Sequence, residues 1–107
     1  MPAVLNGDGD VDEPLDNARA VQLVRWILKN GETELGDHLL QDSLPKHNLT
    51  AVDVTNVLRC GVMNADQAAE YEKGHWRYRI HTPRMCVVIQ FNKPNEMYVV
   101  TAWRKAQ

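Results

Sequence analysis

The sequence predicts an α+β domain in which N-terminal helices pack on one face of a curled antiparallel sheet of three to four strands. Two observations predict this class. Apolar residues recur at helical spacing in the first 60 residues, whereas residues 75 to 104 form short alternating or apolar runs separated by turn residues. The length of 107 residues and the hydrophobic fraction of 44% suit one domain with a single core.

Three helices are predicted before the sheet. The first spans 16–31, beginning with an aspartate N-cap and ending at a glycine. The second is short and runs from its N-cap Asp37 to Leu44, because Pro45 cannot continue a helix. The third spans 50–61, where a threonine and an aspartate three residues later form a capping box and a glycine ends the helix.

Three strands are predicted at about 75–81, 84–91 and 97–104. The middle strand is apolar on both parities, so we expect it to be central and covered on both faces over part of its length. The breaks at 82–83 and 92–95 are rich in turn residues and short enough for successive antiparallel hairpins.

Charge is unevenly distributed along a chain whose formal net charge is -2. Residues 1–16 carry five acidic side chains and no base, whereas residues 71–107 carry seven basic side chains against two acidic ones. This asymmetry favours a surface that faces a polyanion, although a solvated charged face explains any single run equally well. We interpret residues 1–14 as a disordered acidic leader and residues 15–107 as a single domain.

Several classes of protein are disfavoured. The apolar runs are too short to cross a bilayer and no secretion signal is present, which predicts a soluble cytoplasmic protein without membrane association. Cys60 and Cys86 lie in apolar surroundings without CxxC spacing, so buried thiols are expected rather than a disulfide or a zinc site. Neither a metal nor another cofactor is expected.

The segment HWRYRIH carries the clearest functional pattern. On a strand, His75, Arg77, Arg79 and His81 project from one face, about 6 to 7 Å apart. That spacing resembles the distance between successive phosphates, which guanidinium groups bind bidentately, and histidine can transfer a proton near neutrality. The pattern therefore predicts phosphodiester binding and cleavage, with a plain solvated sheet face as the alternative.

Further bases extend this surface. Arg84 lies just across the hairpin from this strand, and Arg104 lies at the end of the last strand. Both are therefore expected to lie on the surface that carries Arg77 and Arg79. His38 lies just after the start of the second helix, where the helix dipole favours a neutral imidazole that can act as a base. An exposed residue without a function is the alternative interpretation of His38.

Four segments together resemble a known group: GDHLLQDS, TAVDVTNVLRCG, EKGHWRYRIHTPRMCVVIQF and MYVVTAWRK. They are similar to small bacterial domains related to RelE-type and motility-regulator-type toxins, over roughly residues 17–105. The resemblance implies an antiparallel sheet with helices on one face and metal-independent endoribonuclease activity. For toxins of the group it also implies cleavage of messenger RNA and neutralisation by a cognate antitoxin.

Site residues follow from the pattern and the resemblance together. The predicted catalytic residues, for proton transfer and for stabilising charge on the phosphorane, are His38, His81, Arg77 and Arg79. The predicted RNA-binding residues are His75, Arg84, Thr101, Trp103 and Arg104. Relatives often have arginine where this chain has Asp42, which is a departure from the group's pattern.

The sequence thus predicts a toxin-like RNA-binding domain of a toxin-antitoxin system that acts as a metal-independent endoribonuclease. Its expected partners are single-stranded RNA and an antitoxin protein. Two alternatives stay open, a non-catalytic nucleic-acid-binding module and a module that binds an acidic protein partner. For Trp103, a core position is the alternative to stacking on an unpaired base.

Overall fold

The computed structural model describes residues 11–64 and 66–105. The chain is α+β, as predicted. Its elements in chain order are α1 Asn17–Asn30, β1 Glu32–Leu35, a π-helix Leu39–Ser43, α2 Leu44–His47, α3 Ala51–Cys60, β2 Glu70–Glu72, β3 His75–His81, β4 Met85–Lys93 and β5 Glu96–Arg104.

The five strands form one mixed sheet in the order β1-β5-β4-β3-β2. The strands from β2 to β5 pair antiparallel, whereas β1 pairs parallel with β5. The predicted sheet of three to four strands, all antiparallel, is therefore wrong in strand count, and the sheet is mixed because β1 is parallel to β5. Both missed strands are short, largely charged edge strands, Glu32–Leu35 and Glu70–Glu72, and they carry no apolar alternation from which a strand could be predicted.

The first and third helices begin and end where the sequence predicted. Asp16 is the N-cap of α1, and its carboxylate accepts a hydrogen bond from Arg19 N at 2.8 Å. At α3 the capping box is complete: Asp53 N donates to Thr50 Oγ1 at 3.2 Å, and Thr50 N donates to Asp53 Oδ2 at 2.8 Å. These local contacts satisfy backbone N–H groups that the first turn of a helix leaves without partners.

The second helix differs from its prediction at both ends. Leu40 N donates to Gly36 O, so the helical backbone already includes Asp37 rather than being capped by it. The helical backbone also continues through Pro45 to His47, since α2 follows the π-helix directly. Leu44 N donates to Leu39 O, five residues back, so the hydrogen bonding changes to the π type just before the residue that lacks an N–H.

The core lies between the helices and one face of the sheet. The helices contribute buried side chains at Ala20, Leu23, Val24, Ile27, Val54, Val57 and Leu58. The facing strands contribute Tyr78, Ile80, Val87, Ile89, Met97, Val99 and Ala102. The predicted parity of β3 is confirmed, because Tyr78 and Ile80 are buried in this core and Trp76 packs against it.

Strand β4 is the centre of the five-stranded sheet, and every residue from Met85 to Phe91 is buried. The prediction that this apolar strand is central and covered on both faces is thus confirmed. Both predicted hairpins are also present, since β3–β4 and β4–β5 pair antiparallel across short turns.

The N-terminal end of the described chain runs beside β3. Trp76 Nε1 donates to Asp12 O at 3.0 Å, and Leu15 N donates to the Tyr78 hydroxyl at 2.9 Å. Most of the predicted acidic leader, residues 1–10, lies outside the described residues. Among the helices described, none is long and apolar enough to cross a membrane.

Candidate functional site

The sheet face opposite α1 and α3, here called the distal face, carries most of the predicted site. Two rows of side chains cross it on β3, β4 and β5, namely Arg79–Val88–Thr101 and His81–Cys86–Trp103. Paired residues on neighbouring strands share a face, so each row brings side chains from three parts of the chain together.

A β-bulge in β5 places the last two members of these rows. Val88 pairs with Thr101 and Ile89 pairs with Val99, so Val100 is an extra residue on β5. Without it, strict alternation from the buried Val99 would turn Thr101 and Trp103 toward the helices. The bulge therefore turns both side chains onto the distal face, and the core alternative for Trp103 does not apply.

Arg77 is held firmly on the distal face. Its Nη1 lies 2.9 Å from Glu72 Oε2, and its Nε donates to Gln90 Oε1 at 3.2 Å. The Arg77 side chain is only 19% exposed and Gln90 is buried. This arginine is a structural partner of the sheet as well as a candidate binding group.

Arg79 is held more loosely. Its Nη2 lies 3.4 Å from Glu70 Oε1, and the two side chains are 42% and 71% exposed. Its guanidinium carbon lies 5.8 Å from the centroid of the Trp103 ring, within reach of a cation–π contact. The ladder predicted from HWRYRIH is present, but each arginine has a glutamate of β2 as a neighbour.

Two adjacent clefts open on this part of the molecule. The first, the arginine cleft, has a volume of about 200 Å³ and is lined by Glu70, Glu72, Arg77, Arg79, Val88, Val100, Thr101 and Trp103. The second, the histidine cleft, has a volume of about 250 Å³ and is lined by His38, Asp42, Ser43, Lys46, His47, Thr101, Ala102 and Trp103. Thr101 and Trp103 form the wall that the two clefts share.

The π-helix supplies one side of the histidine cleft. His38 Nε2 lies 3.7 Å from Asp42 Oδ2, with both side chains exposed. Ser43 Oγ and Thr101 Oγ1 are 2.7 Å apart, which joins the π-helix to β5. The departure at position 42 thus places a carboxylate beside the predicted catalytic histidine.

His47 enters the same cleft, and it was missed from the sequence. It lies nine positions after His38, and on a regular α-helix nine positions are about 2.5 turns, which puts the two side chains on opposite sides. The π-helix between them changes this rotation, and both histidines line one cleft. A helix that stops at Pro45, as the sequence predicts, does not include His47.

Arg104 holds this arrangement in place instead of facing the basic surface. Its Nε donates to His47 O at 2.9 Å and its Nη2 donates to Asn48 O at 3.1 Å. A cation at these carbonyls satisfies acceptors at the C-terminal end of α2. Arg104 is thus placed to position His47.

His81 lies apart from the histidine cleft. Its Nδ1 is 2.8 Å from Lys105 Nζ, and its Nε2 is buried without a hydrogen-bond partner in the described part of the chain. Strand β4 separates His81 from β5, which amounts to two strand spacings of about 4.8 Å each. His38 and His47 line the histidine cleft, whereas His81 is not among its lining residues.

Of the other predicted RNA-binding residues, two line the clefts and two lie outside them. Thr101 and Trp103 line both clefts. His75 pairs with Glu72 at the beginning of β3, and Arg84 is exposed in the turn between β3 and β4, so both lie outside the cleft linings.

The two thiols differ, which corrects the expectation that both are buried. Cys86 is buried on β4, whereas Cys60 is exposed at the end of α3. Burial raises the pKa of the Cys86 thiol, and the nearby charges of Arg79 and Lys105 only partly oppose this effect. At neutral pH the Cys86 sulfur stays a thiol, which is the unreactive form.

We expect an alkylating reagent at neutral pH to modify Cys60 faster than Cys86 by about tenfold or more, because Cys86 is both buried and protonated. Mass spectrometry of peptides after timed quenching measures the two rates in one sample. Equal rates in the folded protein would contradict the burial of Cys86, and equal rates in denaturant serve as the control.

Within residues 11–64 and 66–105, no group of three or more histidine, cysteine, aspartate or glutamate side chains is placed to hold a metal ion. The fold and site define an α+β protein with an aromatic and charged surface on the distal face of a mixed sheet. Comparisons with models of protein families, with curated proteins and with solved structures found no match.

Proposed function

We propose that this protein binds single-stranded RNA on its distal face, with an unpaired base stacked against Trp103. The observation that carries the proposal is the position of Trp103, whose side chain forms the wall between the arginine cleft and the histidine cleft. Stacking of a base on an aromatic side chain contributes about 1 to 3 kcal/mol. A partly exposed tryptophan beside two sets of cations suits a nucleotide better than it suits a protein core.

The charges beside Trp103 support the same proposal. The arginine cleft offers Arg77 and Arg79, and the histidine cleft offers Lys46 with two imidazoles. A nucleotide that stacks on Trp103 has a phosphate on each side, so the two clefts can each receive a part of the strand. An acidic protein partner is less favoured, because Glu72 and Glu70 already contact the arginines and acidic side chains, unlike bases, have no ring to stack on Trp103.

The test is fluorescence anisotropy with a labelled single-stranded RNA of mixed sequence at low salt. Trp103→Leu is expected to weaken binding by about tenfold or more through loss of stacking. Tyr71→Leu is the matched control, because Tyr71 is exposed but shares the face of Trp76, opposite the clefts. We expect its affinity to equal that of the unmodified protein.

Absence of saturable RNA binding by the unmodified protein would overturn the proposal. Equal losses in Trp103→Leu and Tyr71→Leu would also contradict it, since they would reflect general effects on the sheet. Adding poly-glutamate as a competitor distinguishes RNA binding from binding of an acidic protein partner. Poly-glutamate that competes with RNA at equal charge concentration would favour a protein partner.

A second candidate function, endoribonuclease activity, is favoured by the pairing of His38 and His47 in one cleft. One imidazole would remove the proton of an RNA 2′-hydroxyl, whose oxygen then attacks the adjacent phosphorus. The other would donate a proton to the departing 5′-oxygen. Lys46 lines the same cleft and would stabilise the negative charge on the phosphorane.

A toxin role also belongs to this proposal. It is supported by the resemblance of the four segments to RelE-type and motility-regulator-type toxins, and it brings with it a RelE-like fold, messenger RNA as substrate, a cognate antitoxin and a cytoplasmic location. Asp42 lies against His38, where relatives often have arginine. Activity that depends on His38 would show that this carboxylate is compatible with cleavage.

A further inference from the structure

We infer that the arginine cleft binds a guanine base rather than a phosphate, with Glu70 and Arg79 reading its edge. This inference rests on the proposed function, since it names the part of an RNA that this cleft recognises. It changes the role predicted for the arginines from HWRYRIH, which was phosphate binding.

The argument begins with the charge inside the cleft. Its lining contains two guanidinium groups and two carboxylates, so the formal charges cancel. Each arginine has a carboxylate oxygen beside it, at 2.9 Å for Arg77 and 3.4 Å for Arg79. A phosphate entering this space would meet two like charges, and like charges at close range are unfavourable. A neutral group with both donors and acceptors meets no such repulsion.

Guanine has the matching edges. Its N1–H and N2–H donors lie side by side and fit the two oxygens of one carboxylate, and its O6 and N7 acceptors fit the fork of one guanidinium. Adenine, cytosine and uracil lack the adjacent pair of ring and amino donors. A cleft that combines carboxylates with arginines therefore distinguishes guanine from the other three bases.

The walls of the cleft suit a flat aromatic group. Trp103 supplies a ring, and the apolar side chains of Val88 and Val100 lie beside it. The volume of about 200 Å³ is below the range of roughly 300 to 1,000 Å³ that is usual for larger ligands. One nucleobase is a ligand of fitting size and shape.

The two ion pairs assign different roles to the two carboxylates. Glu72 is engaged by Arg77, which is itself fixed by its hydrogen bond to Gln90. Within the described residues, Glu70 has the longer contact, to Arg79, and these two side chains are 71% and 42% exposed. Glu70 and Arg79 can thus turn toward a base without breaking a buried contact, whereas Arg77 and Glu72 hold the floor of the cleft.

The experiment compares labelled uridine octamers that carry guanine, adenine, cytosine or inosine at one central position. We expect the guanine octamer to bind about tenfold or more tightly than the others. Inosine keeps N1–H, O6 and N7 but lacks the N2 amino group. Weaker binding of the inosine octamer than of the guanine octamer therefore reports a contact between the amino group and a carboxylate. Glu70→Gln is expected to bring the guanine octamer to the level of the others.

Glu34→Gln is the matched control. Glu34 is exposed and lies on β1, at the opposite edge of the sheet. Its substitution by glutamine removes one negative charge, as Glu70→Gln does. We expect this variant to keep the guanine preference. A guanine preference that survives Glu70→Gln would overturn the assignment, as would stronger binding of all four octamers without loss of preference.

Failure of the inference and failure of the proposed function give different results. Equal binding of all octamers by the unmodified protein overturns guanine recognition but leaves RNA binding intact. Absence of binding to every octamer, and to the mixed-sequence RNA, overturns both.

Discussion

Replacing either His38 or His47 by alanine is expected to lower the rate of single-stranded RNA cleavage by about a hundredfold or more, which is the usual contribution of a general acid or base. The expectation follows from the cleft that His38 and His47 line together with Lys46. His81→Ala is expected to leave the rate within about threefold, because its ring faces Lys105 and lies two strands away from β5.

The measurement follows cleavage of a labelled RNA in excess chelator, with all four proteins purified identically. RNA affinity is measured for each variant, so that a loss of rate is separated from a loss of binding. A large effect of His81→Ala with no effect of His47→Ala would contradict this expectation and favour His38 and His81 as the proton-transfer pair. Identical rates in every preparation would indicate a contaminating nuclease and remove the catalytic proposal.

Replacing both Arg77 and Arg79 by alanine is expected to weaken binding of guanine-containing RNA by about a hundredfold or more, because Arg79 donates two hydrogen bonds to guanine from a charged group, each contributing about 1.5 to 3 kcal/mol, and Arg77 holds the floor of the cleft. Stability should respond unequally to the single changes. Arg77→Ala removes the donor to the buried Gln90 and should lower the free energy of unfolding by about 1 to 3 kcal/mol. Arg79→Ala removes an exposed pair, which contributes about 1 kcal/mol or less.

Unfolding in denaturant measures the free energy of unfolding of each variant. Fluorescence anisotropy at several salt concentrations measures its affinity for RNA. If Arg79 contacts a base and Arg77 only supports the cleft, the slope of affinity against salt should change little in the double variant. Lys46→Ala provides the comparison, because loss of one phosphate contact should reduce the slope by about 0.7 for a single strand. A larger change of slope in the arginine variant than in Lys46→Ala would favour phosphate binding in the arginine cleft.

The fold was predictable wherever a local signal determines the structure. The N-cap at Asp16 and the capping box at Thr50 fix two helix starts within four residues of sequence. The unbroken apolar run of β4 determines its central position. The edge strands β1 and β2 were missed because they are stabilised by partners, not by their own apolar pattern.

The site was predictable only in part. Alternation along β3 is sufficient to place Arg77 and Arg79 on the face opposite Tyr78 and Ile80. It does not reveal their neighbours, since Glu70 and Glu72 reach them only through pairing of β2 with β3. His47 was missed for a similar reason, because a proline stop is the normal prediction and the π-helix that overrides it is rare.

The sequence by itself determined the α+β class, the helix caps and the strand face that carries the arginines, because each depends on contacts within a few residues. Tertiary structure decided which groups share a site. The extra residue at Val100 turns Trp103 onto the distal face, the π-helix and α2 bring His47 to the cleft that His38 lines, and strand pairing sets Glu70 beside Arg79. A bulge, a helical irregularity and an edge pairing are favourable only when the surrounding packing supports them, so their positions are fixed by the folded chain as a whole.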